Sequence, residues 1–186
     1  SADISGITDE IYYARVKAID ELGYESISST QTFTVDTTSP TAATLTSPVD
    51  DLLTDYTSIT FEWTSSVDAN LESYTLEISS DINFSWIDDS SNTTSQSADI
   101  SGITDETYYA RVTAIDELGY ESISSTQTFT VDTTSPTAAT LTSPVDDLLT
   151  DYTSITFDWS LAVDENLESY TLEISSDINF SWITYN

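Results

Sequence analysis

The chain has 186 residues, with 33 acidic side chains against three basic ones and a formal net charge of −30 at pH 7. Such a charge repels nucleic-acid phosphates and anionic lipids, so we expect no nucleic-acid partner and no direct membrane insertion. The sequence contains neither histidine nor cysteine, the commonest groups for acid–base and nucleophilic catalysis, so we expect no enzymatic activity.

A repeat of 96 residues organises the chain, because residues 1–90 and 97–186 are identical at 80 of 90 aligned positions. A unit of this length is the size of a domain, which favours a row of separate domains over a solenoid. The sequence DTTSP at residues 36–40 and 132–136 marks the boundaries between units. Proline restricts its own backbone and that of the preceding residue, so these linkers are predicted to be short and stiff.

These boundaries divide the chain into three parts. Residues 1–36, the tail segment, are predicted to be the C-terminal part of one repeat. Residues 37–132, the central repeat, form a complete unit, and residues 133–186, the head segment, are the N-terminal part of a further one. Two explanations stay open for the partial repeats: the chain is a slice of a longer array, or other copies complete it head to tail. The expected partners are therefore neighbouring repeats or other copies of the same chain.

Strands are predicted within the central repeat wherever apolar and polar residues alternate, because successive side chains of a strand point to opposite faces. In chain order the pattern predicts strands at residues 58–63, 73–78, 82–86 and 108–116, with a last strand ending at Val131. The polar stretch DDSSNTTSQS at residues 88–97 is predicted to be a loop. About seven short strands in a unit of this size favour a two-sheet sandwich.

Several short motifs follow one another in a characteristic order. They are LTSPVD with Pro48, FEW with Trp63, YTLEIS, ISGITDETYYARVTAID with Ile103 and Tyr108, AIDELGYES and VDTTSPT. In this order they resemble fibronectin type III-like and bacterial immunoglobulin-like repeats of large cell-surface adhesins or extracellular fibres. The resemblance implies an all-β fold of tandem seven-strand Ig-like or fibronectin type III-like sandwiches joined by short Thr/Pro linkers. It also implies a structural role outside the cell or at its surface.

Carboxylates are predicted to gather at the junctions between repeats. In a sandwich of this type the entering linker and the loops after the second and sixth strands meet at one pole, facing the preceding repeat. Oxygen ligands in such groups suit calcium, and a solvated acidic surface is the alternative. The first junction would collect Asp9, Glu10, Asp36, Asp68, Asp116 and Glu117, and the second Asp105, Glu106, Asp132 and Asp164.

Two further surfaces are candidates for binding or modification. Asn92 begins the sequence Asn-Thr-Thr, which matches the N-glycosylation pattern, and lies in the predicted polar loop. Trp86 and Phe84, with Trp182 and Phe180 in the head segment, would form either an aromatic platform for sugar or packing for the core or a sheet edge. The alternative function is thus a carbohydrate-binding accessory module of a secreted protein.

Overall fold

The computed structural model describes residues 1–185, which fall into two compact units divided after Val131. The first unit contains the tail segment and the central repeat through Val131. The described residues form strands and turns without any helix, so none of them provides a helix that could cross a membrane.

Two small antiparallel pairs make up the tail segment. Strand β1 (Glu10–Ala14) pairs with β4 (Gln31–Val35), and β2 (Lys17–Ile19) pairs with β3 (Glu25–Ile27). Asp20 and Gly23 lie in the turn between β2 and β3, where Gly23 has a positive φ of 87° that glycine adopts without strain.

The central repeat is a β-sandwich, which confirms the predicted all-β fold. A three-stranded sheet has the order β10-β7-β5, and a larger sheet has the order β6-β13-β11-β8-β9, with β12 paired to β11. The bounds of these strands are β5 (Leu45–Ser47), β6 (Leu52–Thr54), β7 (Ser58–Trp63), β8 (Leu71–Ser79), β9 (Asp89–Thr93), β10 (Ser97–Ser101), β11 (Glu106–Asp116), β12 (Glu121–Ile123) and β13 (Gln127–Val131).

These nine segments correspond to the seven expected strands, because the first and the last strand are each divided. The first is interrupted after Ser47, where Pro48 offers no backbone N–H to a neighbouring strand. Its second part, β6, moves to the larger sheet and pairs in parallel with β13. The last strand is divided between β12 and β13, and both parts pair with β11.

The apolar core lies between the two sheets and follows the alternation seen in the sequence. Ile59, Phe61 and Trp63 are buried on one face of β7, while the residues between them are exposed. Tyr108 is buried on β11, and its hydroxyl shares a hydrogen bond of 3.1 Å with the Thr104 hydroxyl. The remaining core residues are Ala43, Leu45, Tyr74, Leu76, Ile78, Ile100, Ile103, Ala110, Val112, Ala114, Phe129 and Val131.

Two expectations about the middle of the repeat are wrong. Residues 82–86 form a turn instead of a strand, because the Asp81 carboxylate accepts hydrogen bonds from the N–H groups of Asn83 (3.1 Å) and Ser85 (3.0 Å). Within the predicted polar loop, Asp89–Thr93 forms strand β9, paired antiparallel with β8. A polar sequence becomes a strand there because it satisfies the backbone groups at the edge of β8.

The second unit has much less regular structure. Strand β14 (Leu141–Ser143) pairs antiparallel with β15 (Asp158–Trp159), and Ile174 forms an isolated bridge with Tyr185. Trp159 and Tyr170 keep a ring-centroid distance of 5.7 Å, the same as between Trp63 and Tyr74 in the central repeat.

Candidate metal centre

Three carboxylates converge at one end of the central sandwich. Asp36 belongs to the entering linker, Asp68 to the loop between β7 and β8, and Asp116 to the end of β11. One oxygen of each side chain lies within 4.8 Å of the other two. These are the linker and the two loops that topology places at one pole, so the predicted residues Asp36, Asp68 and Asp116 are brought together. We call this group the acidic triad.

Each triad carboxylate is held by the turn that it starts. The Asp36 carboxylate accepts the N–H of Thr38 at 3.1 Å, and Asp68 accepts the N–H of Asn70 at 2.7 Å. Asp116 accepts the N–H of Leu118 at 2.8 Å. Aspartate favours such local turns because its short side chain reaches the backbone two residues on. The turns leave a second oxygen on each carboxylate for other contacts.

Asp116 is the most unusual member of the triad, because its side chain is completely buried. Its Oδ1 accepts the N–H groups of Leu118 and Tyr120 at 2.8 and 2.9 Å. Its Oδ2 is buried and has no hydrogen-bond partner. A buried carboxylate oxygen without a partner lowers stability, and a coordinated cation would remove that penalty.

Asn70 joins the elements of the triad, and the sequence reasoning missed it. Its side-chain amide donates to Oδ2 of Asp36 at 3.3 Å, and its backbone carbonyl accepts the N–H of Glu117 at 2.9 Å. The spacing Asp-x-Asn at residues 68–70 recurs at residues 164–166, but also at residues 81–83 and 177–179, so it is not a specific signal.

The tail segment contributes two further predicted residues to this end of the sandwich. Asp9 accepts a hydrogen bond of 2.9 Å from the Thr37 hydroxyl in the linker. Asp9 and Glu10 line a cleft of about 440 Å³ together with Asp36 and Asp68. Glu117, by contrast, has an exposed side chain, and only its backbone is tied to the triad through Asn70.

The four carboxylates predicted for the second junction belong to different units. Asp105 and Glu106 lie in the first unit, at the start of β11, and Glu106 accepts a hydrogen bond from the N–H of Thr107. Asp132 and Asp164 lie in the second unit. Metal binding by this group stays a prediction.

In the second unit, Asp132 and Asp164 repeat the arrangement of Asp36 and Asp68. The side-chain amide of Asn166 donates to Asp132 at 2.9 Å, and the N–H of Asn166 donates to Asp164 at 2.8 Å. The Asn166 amide, followed by the N–H and hydroxyl of Thr134, holds the pKa of Asp132 below its usual value.

None of the ion pairs described within residues 1–185 includes a carboxylate of the triad. Those pairs join Lys17 to Glu25 at 2.6 Å and Arg111 to Glu77 at 2.8 Å. Like charges separated by 4.8 Å repel by about 3 kcal/mol per pair at an effective dielectric constant of about 20. The triad therefore concentrates negative charge at this end of the sandwich.

The aromatic pair predicted as a platform is only partly open to a ligand. Trp86 lies at the surface with 57% of its area exposed, so it does not pack in the core. Phe84 is half-buried, and the Arg111 guanidinium lies 4.1 Å from the centre of its ring. Trp182 and Phe180 are exposed in the second unit.

Asn92 lies on β9 instead of in the predicted loop. Its side chain is exposed, and its amide donates to the Thr75 hydroxyl at 3.1 Å. Glycosylation of Asn92 stays a prediction.

No protein-family model and no curated protein matches the sequence. Solved structures with a similar chain path include the FN1–FN3 domains of chicken CNTN1, with 18% identity and a TM-score of 0.44 over 69% of this chain and 45% of that chain. They also include an engineered protein solved at 1.98 Å, with 17% identity and a TM-score of 0.38 over 50% of this chain and 20% of that one. The chain thus spans less than half the length of either.

Proposed function

We propose that this chain is a structural, non-enzymatic segment of an extracellular stalk, filament or adhesin, in which calcium rigidifies the junctions between tandem β-sandwich repeats. The acidic triad is the observation that carries the proposal. Asp36, Asp68 and Asp116 converge, and Oδ2 of Asp116 is buried without a partner.

Calcium suits the triad better than magnesium because of its coordination chemistry. The triad oxygens lie within 4.8 Å of one another, so a single ion between them could contact all three. Calcium accepts about six to eight oxygen ligands in flexible geometry, at about 2.3–2.6 Å. Magnesium demands near-ideal octahedral geometry at about 2.0–2.1 Å and usually keeps several of its waters.

A calcium ion at this place would restrict the linker. Asp36 lies in the linker, whereas Asp68 and Asp116 are anchored in the sandwich. An ion bound by all three therefore ties the start of the repeat to its body. The Thr37 hydroxyl already connects the linker to Asp9 of the tail segment. Fewer linker conformations mean a stiffer array, which is what a stalk needs.

Extracellular calcium modules typically bind with dissociation constants of about 10⁻⁴–10⁻³ M. A site built from three carboxylates fits an environment with calcium in that range. The resemblance to adhesin and fibre repeats points to the same location.

Calcium binding to the Asp116→Asn variant tests the proposal. Asparagine keeps an oxygen that can accept the N–H groups of Leu118 and Tyr120, but it replaces the unpartnered oxygen with an amide. We expect equilibrium dialysis at about 1 mM calcium to show one bound ion fewer per chain than in the wild type.

The control is Asp55→Asn, which removes the same charge at an exposed position outside the triad. We expect it to bind as much calcium as the wild type. Equal calcium binding by both variants would show that the ions are held only by the general negative charge, and the proposal would be wrong.

The alternative of carbohydrate binding rests on Trp86, which is exposed as a sugar-stacking residue would be. Its neighbour Phe84 is already in contact with Arg111, and the Trp86 indole N–H donates to the Ser80 hydroxyl at 3.3 Å. A single exposed ring is a weaker basis than the acidic triad.

A further inference from the structure

Asn70 contacts all three elements that carry the acidic triad. It is half-buried and lies immediately before β8. Its N–H donates to the Asp68 carboxylate at 2.7 Å, and its side-chain amide donates to Oδ2 of Asp36 at 3.3 Å. Its backbone carbonyl accepts the N–H of Glu117, the residue that follows Asp116, at 2.9 Å. The side chain of Asn70 therefore lies beside the triad, and its backbone contacts hold it there.

One oxygen of each triad carboxylate is occupied by the local turn, and it is Oδ1 in every case. Oδ1 of Asp36 accepts the N–H of Thr38, and Oδ1 of Asp68 accepts the N–H of Asn70. Oδ1 of Asp116 accepts two N–H groups of the turn that follows it. If each aspartate gives its second oxygen to a calcium ion, the triad supplies three ligands. Calcium takes about six to eight oxygens, so the ion needs further ones.

Asp116 occupies a core-facing position of β11. Alternate residues of this strand, from Tyr108 to Ala114, are buried between the sheets, and Asp116 follows in the same alternation. Burial of a carboxylate is costly unless hydrogen bonds or an opposite charge compensate it. Within the part of the chain that the structure describes, its Oδ2 has neither. This oxygen is an observation, separate from the clustering of acids, that points to a bound cation.

The amide of Asn70 can present either a donor or an acceptor at the same place. Rotation of the amide by half a turn exchanges its nitrogen and its oxygen and leaves the backbone contacts of Asn70 unchanged. The oxygen would then lie about 3.3 Å from Oδ2 of Asp36. Two oxygens bound at right angles to one calcium ion, each at about 2.3–2.6 Å, lie about 3.3–3.7 Å apart. The two side chains can therefore bind the same ion while the backbone stays in place.

We propose that Asn70 is the fourth protein ligand of the calcium ion at the acidic triad, an inference that rests on the proposed function. Without calcium, the amide donates to Asp36 and stabilises a carboxylate that the other two repel. With calcium bound, the amide turns and its carbonyl oxygen binds the ion. One side chain thus serves both states of the site, because its nitrogen suits the carboxylate and its oxygen suits the cation.

The neutral side chain of Asn70 sets the affinity of the site. A fourth carboxylate would bind calcium more tightly, but it would also add to the repulsion among Asp36, Asp68 and Asp116. Calcium affinity follows the number of charged ligands, and extracellular modules bind with dissociation constants of about 10⁻⁴–10⁻³ M. Three carboxylates and one neutral oxygen therefore suit a site that responds to calcium in that range.

The residue before Asn70 offers a matched control. Ala69 is exposed, and its counterpart in the second unit is Glu165, so an acidic side chain is accommodated at this position. Beside Glu165, Asn166 still donates to Asp132 and Asp164, as Asn70 does to Asp36 and Asp68. Ala69→Asp therefore adds the same charge as Asn70→Asp, while Asn70 keeps its contacts.

Calcium titration of three variants, by calorimetry in about 0.15 M salt, tests the inference. Asn70→Ala keeps the backbone contacts and removes the oxygen, so we expect calcium to bind about 10-fold more weakly. Asn70→Asp places a charged oxygen at the same position and loses the N–H donor, so we expect about 10-fold tighter binding. Ala69→Asp should bind almost as the wild type does, because salt screens its exposed charge.

The number of water molecules on the bound ion separates a ligand from a residue that only positions Asp36. Europium(III) can replace calcium, and its luminescence lifetimes in H₂O and D₂O count the waters that it holds. With less europium than chain, Asn70→Ala should show one more water than the wild type, whereas Asn70→Asp should show the wild-type number. Asp116→Asn reports the hydration of ions bound elsewhere on the chain.

Two outcomes would overturn the inference and leave the proposed function standing. One is the same number of waters in the wild type and in Asn70→Ala. The other is calcium binding by Asn70→Asp that is no tighter than binding by Ala69→Asp. Calcium binding that Asp116→Asn leaves unchanged would instead overturn both the inference and the proposed function.

Discussion

Asp81 shows how one carboxylate redirects a segment of the chain. Its two oxygens accept the N–H groups of Asn83 and Ser85, and Phe84 takes a positive φ of 51° within the turn. The hydroxyl of Ser85, then the N–H groups of Asn83 and Ser85, lower the pKa of Asp81 below its ordinary value of 3.8. The ionised form is therefore the one that stabilises the turn.

The sign of this shift predicts a pH dependence. A folded-state pKa below the unfolded value gives stability that is present above about pH 3.8 and is lost as the pH falls through the lower, folded pKa. Asp81→Asn should therefore lower the free energy of unfolding at pH 7, and its difference from the wild type should shrink at pH 2. Urea unfolding in calcium-free buffer at both pH values measures this. An equal difference at both would contradict the assigned role of the charge.

Asp116 differs from Asp81 because one of its oxygens has no partner. At Asp81 both oxygens are used within the turn, so nothing further is needed. At Asp116 one oxygen holds the turn and the other is left buried. Locally, both residues are aspartates at the start of a turn. The neighbours Asp36 and Asp68, which the topology brings close, make Asp116 a candidate ligand.

The sequence QTFTV forms a strand at two places in the chain, and the burial of its phenylalanine differs between them. It occurs as β4 in the tail segment and as β13 in the central repeat. Phe129 of β13 is completely buried between the sheets, whereas Phe33 of β4 is 43% exposed. Identical local sequence therefore yields a core strand in one place and a half-covered one in the other.

We expect Phe129→Ala to lower the free energy of unfolding of the central repeat by about 3–5 kcal/mol, since it leaves a cavity in the core. Phe33→Ala should cost less than about 1 kcal/mol, because its ring is already partly in water. Urea unfolding of the two variants makes the comparison. Equal losses would contradict the difference in burial between the two rings.

The strands that could be predicted from the sequence are those with one buried face, because burial of one face requires apolar and polar residues to alternate. The alternation of residues 58–63 and 108–116 follows from burial of one face of β7 and β11. The same alternation at residues 82–86 was misleading, because Asp81 forms hydrogen bonds with the backbone there. Strand β9 could not be predicted, since Asp89–Thr93 has no apolar residue and forms by pairing with β8.

The acidic triad was partly predictable for a topological reason. A repeat boundary and a sandwich fold together place the linker and two particular loops at one end, so Asp36, Asp68 and Asp116 could be named from the sequence. The bridging role of Asn70 depends on the path of a short loop and could not.

Repulsion between like charges acts throughout the molecule. The behaviour of the protein in the presence of cations is therefore its most informative property to measure. The chain carries a net charge of −30. Salt at about 0.15 M screens charges over about 8 Å, which weakens the repulsion between distant groups. The triad oxygens lie within 4.8 Å of one another, inside that distance, so ordinary salt leaves most of their repulsion in place. Under the proposed function, a bound calcium ion would relieve this repulsion.

The width of the distance distribution across the first junction tests the central claim most directly. The chain has no cysteine, so Ser29→Cys and Ser95→Cys place two spin labels, one in the tail segment and one in the central repeat. Pulsed electron resonance on labelled chain, diluted with unlabelled chain, should show a narrow distribution in calcium and a broad one in EDTA. With Asp116→Asn added, it should stay broad in both. A distribution of the same width with and without calcium would contradict a junction rigidified by calcium.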